Sequence, residues 1–190
     1  RDAQESRGLG DVYKRQVVIE KGEPKSCNIV TSCEGKGKTF IMFSDDLDKA
    51  LATFVLANGA AATGQKVTIF FTFWGLNVIK KLHKPNVEKD IFGKMFGMML
   101  PSSSRKLKLS KMSMGGIGGK MMRYIMNRKG IDSLESLRQQ ALENGVEFIA
   151  CQMSMDVMGV KQEELLDEVT IGGVATYMER ADNANINLFI

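Results

Sequence analysis

The chemistry available to this sequence centres on sulfur. The chain of 190 residues carries three cysteines, Cys27, Cys33 and Cys151, with 13 methionines and a single histidine, His83. Cys151 ends an apolar run (146–151, VEFIAC) and precedes a segment able to start a helix. Backbone N–H groups at a helix start stabilise a thiolate and lower its pKa. The thiolate is the nucleophilic form, and it can also hold an added sulfur as a persulfide. The competing reading is a small buried core residue. Met153, Met155 and Met158 offer a soft, polarisable surround to a sulfur-bearing group, although packing alone accounts for at least two of the three. The chain has no CxxC, so a thioredoxin-type dithiol is not supported. Cys27 and Cys33 flank NIVTS in a polar stretch and read as incidental exposed thiols. Resolution of an oxidised Cys151, or pairing with each other, are the alternatives, and two Cys without His partners make no zinc site.

The other groups are weaker. One histidine excludes a His-rich metal site and a triad built on a second histidine, and His83, between Lys81 and Lys84, reads as a surface residue. Gly172-Gly173 before a helix can receive an anion, but GxGxxG and GxxxxGK[ST] are both absent, so a tight strand-to-helix turn is the better reading. MGGIGGK (114–120) fails the phosphate-loop spacing and follows no strand. No metal and no cofactor is expected.

These residues need elements to position them. Residues 39–43 (TFIMF), 66–73 (KVTIFFTF), 146–151, 169–171 and 186–190 read as strands in mostly apolar runs. Between the first two, Ser44 is expected to cap a helix, with Asp45 and Asp46 in its first turn, and Gly64 to end it. Helices are also expected at 75–82, 91–100, 120–128, from a Ser133 cap to 143, at 156–160 and 163–166, and from Gly173 to about 181, with breaks at 101–104 and 114–119. Such alternation argues for an α/β fold with an open, mostly parallel sheet of about five strands covered on both faces. Chemistry in these folds sits at the carboxyl ends of the strands. That rule groups Cys151 with a pocket of Ser44, Asp45, Trp74, Gly75, Met153, Met155, Met158, Gly172 and Gly173. Trp74 reads as core or pocket wall.

Charge divides the chain. The net charge is +4, yet residues 80–129 carry +11 and the remainder −7. The basic segment also holds eight of the 13 methionines. Phe92, Met95, Phe96, Met99 and Leu100 can share an apolar face, so 91–128 can lie on an anionic membrane surface, dock an acidic partner, or form a solvated lid. Few aromatics are available for stacking, so nucleic acid is not expected. No apolar run reaches the length of a membrane-spanning helix. Residues 1–16 (RDAQESRGLGDVYKRQ) have no periodicity and read as non-native or disordered. Residues 17–23 (VVIEKGE) read as a remnant strand of an upstream domain, and 24–38 as a linker.

Four segments occur in an order that resembles the DsrE/DsrF/DsrH-like sulfur-relay family: FSDDLDKALATFVLANGAAATG, VTIFFTFWGLN, FIACQMSMDVMGV and VTIGGVATYMERADNANINLFI. The likeness runs over 39–190, with 84–129 as an insert, and is closest to the larger "peroxiredoxin-like" branch. It implies a flavodoxin-like three-layer fold, homo-oligomers, and a cysteine that carries sulfur between proteins. That cysteine maps onto Cys151. It also implies TusA-like or rhodanese-like donors and acceptors, and a TusA-like domain as the source of residues 17–23. Separately, three cysteines are too few for a disulfide framework, which favours a reducing compartment and a cytoplasmic location. The leading expectation is a sulfur carrier or sulfurtransferase. The alternatives are a non-catalytic interaction or membrane-docking module using the basic insert, and a thiol-redox enzyme using Cys151 with Cys27 or Cys33.

Overall fold

A computed structural model describes residues 37–82, 95, 97, 100–111 and 114–190. The chain divides into two units, Arg1–Cys33 and Glu34–Ile190, and all described residues belong to the second. Cys27, Cys33, His83, the strand expected at 17–23 and most of the helix expected at 91–100 lie outside the described residues.

Among the described residues five strands form one sheet: β1 (Gly37–Met42), β2 (Val67–Phe71), β3 (Glu147–Cys151), β4 (Thr170–Gly172) and β5 (Ala184–Phe189). Their order is β4-β3-β2-β1-β5, and every pairing is parallel. The helices are α1 (Leu47–Ala62), α2 (Ile117–Arg128), α3 (Leu134–Glu143), α4 (Gln152–Met158) and α5 (Val174–Asp182). The layering is the flavodoxin-like one expected. The strand order is not the 2-1-3-4-5 of flavodoxin, because the last strand returns past three others to lie beside the first.

The two faces of the sheet follow from strand periodicity. Phe40, Met42, Ile69, Phe71, Phe148 and Ala150 point one way and join Leu47, Ala50, Phe54 and Ala57 of α1 and Leu134 and Ala141 of α3 in the larger core cluster. At its centre the Phe71 and Phe148 rings lie 5.4 Å apart, with Phe54 5.8 Å from Phe148. Phe70, Ile149 and Cys151 point the other way, into a smaller cluster completed by Tyr177 of α5. β2 is buried along its whole length, as a central parallel strand must be.

Four expectations need correction. Ser44 is not the cap of α1; Asp46 holds that position, and the Ser44 hydroxyl instead accepts from the Asp46 N–H and donates to its carboxylate. The segment expected as a helix at 75–82 is a 3-10 helix, Phe73–Ile79. Its course is set by contact with β1: a Cβ on Gly75 would stand 2.0 Å from the Met42 carbonyl oxygen, and Gly75 N–H donates to Phe43 O at 2.9 Å. The break expected over 114–119 stops at Gly116. Gly118 and Gly119 are buried inside α2, and a Cβ on Gly119 would lie 3.2 Å from Leu107 O, so the glycines serve packing. Finally, α4 starts directly after β3 at Gln152, not at Asp156.

Gly75→Ala is expected to lower stability by roughly 3 kcal/mol, because backbone and not a movable side chain blocks the new methyl. Gly59→Ala, in α1 with nothing within 4 Å of the added Cβ, is expected to raise it by roughly 0.5–1 kcal/mol. Urea unfolding midpoints measure both; equal effects would contradict this view of the Gly75 contact.

Candidate functional site

Cys151 ends β3, pairs in register with Gly172 of β4, and occupies the N-cap position of α4. Its backbone is extended and its side chain makes no capping bond. The thiol side chain joins Phe70, Ile149 and Tyr177, leaving the residue 2% exposed. The connections leaving β3 and β4 separate here. After β3 the chain passes into the larger cluster through Met155 and Met158 of α4; after β4 it passes through Gly173 to α5 on the opposite face. Adjacent strands whose connections part in this way open a crevice at their carboxyl ends. Gly172 is closely enclosed, since an added Cβ would meet Ile149 Cγ2 at 2.8 Å and Thr176 Cβ at 3.3 Å. On the other flank, Thr72 Oγ1, just past β2, and Ser154 Oγ, on α4, share a hydrogen bond of 2.8 Å.

A second group gathers at the ends of β1 and β2. Phe73 holds a left-handed backbone with φ of 46°, a costly conformation for a bulky residue. Its ring lies 5.4 Å from that of Phe43, which lies 5.7 Å from Phe189. Asn77 is fully buried; its Nδ2 donates to Asp45 Oδ2 at 3.1 Å, while its Oδ1 has no partner. Burial pushes the Asp45 carboxyl above the usual carboxylate range and Asp46 adds to the rise, against the Asn77 hydrogen bond and the Lys80 ammonium. Ser44 is engaged with Asp46, whose carboxylate also receives Lys49 at 2.8 Å.

The expected pocket residues therefore form two groups. Cys151, Gly172 and Gly173 meet at the β3–β4 end. Ser44, Asp45 and Gly75 stand at the β1–β2 end, with β1 roughly 10 Å across the sheet from β3 at about 4.8 Å per strand. Met155 and Met158 are buried in the core on the face opposite the Cys151 side chain, and Met153 is exposed. The methionines thus do not enclose the thiol; Phe70, Ile149 and Tyr177 do. Trp74 is 41% exposed and so is not core. The sequence reading overlooked Thr72, Ser154, Asn77 and Tyr177. A lone Asn within the apolar run FWGLNVI was the one local signal among these.

A cavity of about 1010 Å³ lies at the amino ends of the strands, lined by Lys38, Lys66, Glu147, Arg180 and Asn183 among others. Arg180 there is held by Glu147, Nε to Oε2 at 2.9 Å, and Glu147 also receives Thr68. The cavity is remote from the thiol. Among the described residues no group of three or more His, Cys, Asp and Glu is placed to hold a metal ion.

The raised Asp45 carboxyl has a definite sign. The folded chain holds this proton more tightly than the unfolded chain, so the contribution favours folding at low pH and is lost as pH rises through the folded pKa. Asp45→Asn removes the half-buried charge while keeping an oxygen to accept from Asn77 Nδ2. The variant is expected to gain stability over the parent as pH rises from below the carboxylate range to neutral, read as the difference in urea midpoint. A difference that is constant with pH, or of opposite sign, would contradict the assignment.

Comparison with known proteins places this geometry in context. The sequence profile of the DsrE/DsrF/DrsH-like family matches residues 35–189. The uncharacterized protein YrkE of Bacillus subtilis is 44% identical over 155 residues, covering 82% of this chain and 97% of its own. The sulfur carrier protein DsrE2 of Allochromatium vinosum is 38% identical over 161 residues, covering 83% and 99%. Among solved structures, the ychN protein from E. coli superposes with a TM-score of 0.49 at 11% identity, covering 81% of this chain and 99% of that one. The chain belongs to the DsrE/DsrF/DrsH-like family.

Proposed function

We propose that this protein is a sulfur carrier that holds sulfane sulfur on Cys151 as a persulfide and passes it to an acceptor thiol of a partner protein, TusA-like or rhodanese-like. A sulfur-relay role in general follows from the family and from a relative 38% identical that is named a sulfur carrier. The observation that carries the finer reading is the placement of the thiol: the carboxyl end of β3, opposite Gly172, where the connections of β3 and β4 part. Homo-oligomer formation belongs to the same reading.

The chemistry is two thiol exchanges with no net redox change. The Cys151 thiolate attacks the outer sulfur of a donor persulfide, so a new S–S bond forms at Cys151 while the donor's S–S bond breaks and its thiolate leaves. An acceptor thiolate then attacks the outer sulfur on Cys151, which departs as thiolate. Burial supports a carrier, because the apolar cluster shields a held persulfide from competing thiols. It also requires an opening step. α5 covers the thiol through Tyr177, whose ring lies 5.2 Å from Phe70 and whose hydroxyl bonds Thr39 at 3.3 Å. The exposed Gly173, between β4 and α5, is the natural pivot.

Polysulfide treatment of the full chain is expected to add the mass of sulfur to the Cys151 peptide, read by mass spectrometry. Cys151→Ser and Cys151→Ala should lose the adduct, and Cys27→Ser/Cys33→Ser should keep it; equal loading of either Cys151 variant overturns the proposal. Far-UV circular dichroism verifies that each variant folds. Tyr177→Ala should speed alkylation of Cys151 by at least about tenfold, because deleting a buried aromatic costs the closed state roughly 3–5 kcal/mol. An unchanged rate would show that α5 does not gate the thiol.

A further inference from the structure

α2 buries one side and leaves an apolar stripe on the other. Gly118, Gly119 and Met126 are buried, and Met122 packs on the core. Arg123 is held by Glu135 at 3.3 Å and by the Ser104 carbonyl at 2.9 Å. At about 100° per residue these five positions share one side of the helix. The other side carries Ile117, Met121, Tyr124 and Ile125, which are 65%, 47%, 66% and 39% exposed. Spacing of i, i+4, i+7 and i+8 is the pattern that ordinarily faces a core; here it faces outward.

The surrounding charge has one sign. Lys120 and Arg128 fall on the outward side of α2, and Arg105, Lys106, Lys108, Lys111 and Lys129 are also exposed. Residues 100–131 contain no acidic residue. The preceding basic segment lies against α2 where Leu107 O approaches Gly119.

We propose that α2 docks this protein on an anionic membrane surface, its apolar stripe at the headgroup boundary and its basic neighbours on lipid phosphates. The two contributions such binding needs, apolar area and positive charge, coincide on one exposed helix face. Tyr124 suits that boundary because it pairs an apolar ring with a polar hydroxyl. The helix is 12 residues long, about 18 Å, well short of a bilayer core of about 30 Å. Among the described residues no helix is long and apolar enough to cross a membrane, so α2 lies in the plane of the surface. This proposal is independent of the role of Cys151.

Co-sedimentation of the full chain with vesicles tests it, comparing phosphatidylcholine alone with phosphatidylcholine mixed with phosphatidylglycerol. Binding is expected with the anionic mixture only, weakening as salt is raised. The double variant Met121→Glu/Tyr124→Glu, and separately Lys120→Glu/Arg128→Glu, should each lower partitioning by at least about tenfold. All four side chains are exposed, so the thermal unfolding of both variants should match the parent. Absence of binding to the anionic vesicles, or equal binding by the variants, overturns the proposal. So does self-association of the parent that Met121→Glu/Tyr124→Glu abolishes, which would assign the stripe to a second copy of the chain.

Discussion

A parallel sheet of apolar strands has two faces to remove from water, and this chain covers them unequally. α1, α3, the 3-10 segment Phe73–Ile79 and α4 all contribute to the larger cluster on one face. Among the described residues the other face has α5, joined to it by the buried Tyr177 and by the ion pair of Arg180 with Glu147 of β3. The inequality follows from topology. Among the described residues, the helices of the early crossovers lie on the first face and that of the final connection, from β4 back to β5, lies on the second. Cys151 points into the thinly covered face. Among the described residues its cover on that face is one helix of nine residues, preceded by an exposed glycine. Val174 and Met178 of that helix remain exposed, as does Phe189 of β5. A thiol under this cover is protected, and a carrier of the kind proposed also needs it to be reached.

The β1–β2 end of the site is built in the opposite way. Gly75 lets the 3-10 segment press against the Met42 carbonyl, Asn77 fixes the Asp45 loop from beneath, and buried Arg138 of α3 donates to Val78 O at 2.7 Å. Phe73 is held left-handed within this frame, a conformation that persists only where the surroundings over-determine it. Thr72, next to this frame, and Ser154 of α4 pair their hydroxyls, so the backbone that follows Cys151 is tied to the end of β2.

β1, β2 and β3 were legible because short apolar runs bounded by polar residues and glycine have few other solutions. The cap at Ser133 was legible for the same local reason, and its hydroxyl does accept from Ser136 N–H. The 3-10 segment was not, since the approach of Gly75 to Met42 is a tertiary fact that no local spacing encodes. Cys151 was legible as a strand-end residue, but which face it points to depends on register and on the crossovers, so the methionines that neighbour it in sequence were set around it when Phe70 and Tyr177 are its surroundings. The stripe on α2 illustrates the same limit from the other side. Its period is that of a core-facing helix, and only the fold shows that a different stripe, with the glycines and Met126, faces inward.

Release of sulfur, not its uptake alone, distinguishes a carrier from a buried thiol that happens to react. The most direct measurement is therefore single-turnover transfer: the protein is loaded on Cys151 with isotopically labelled sulfur, freed of excess reagent, and mixed with an acceptor thiol protein of the TusA-like class. The account predicts that the label leaves Cys151 and appears on the acceptor cysteine in equal amount, with the Cys151 thiol restored. Label that stays on Cys151, or leaves it only as free sulfide, would contradict it.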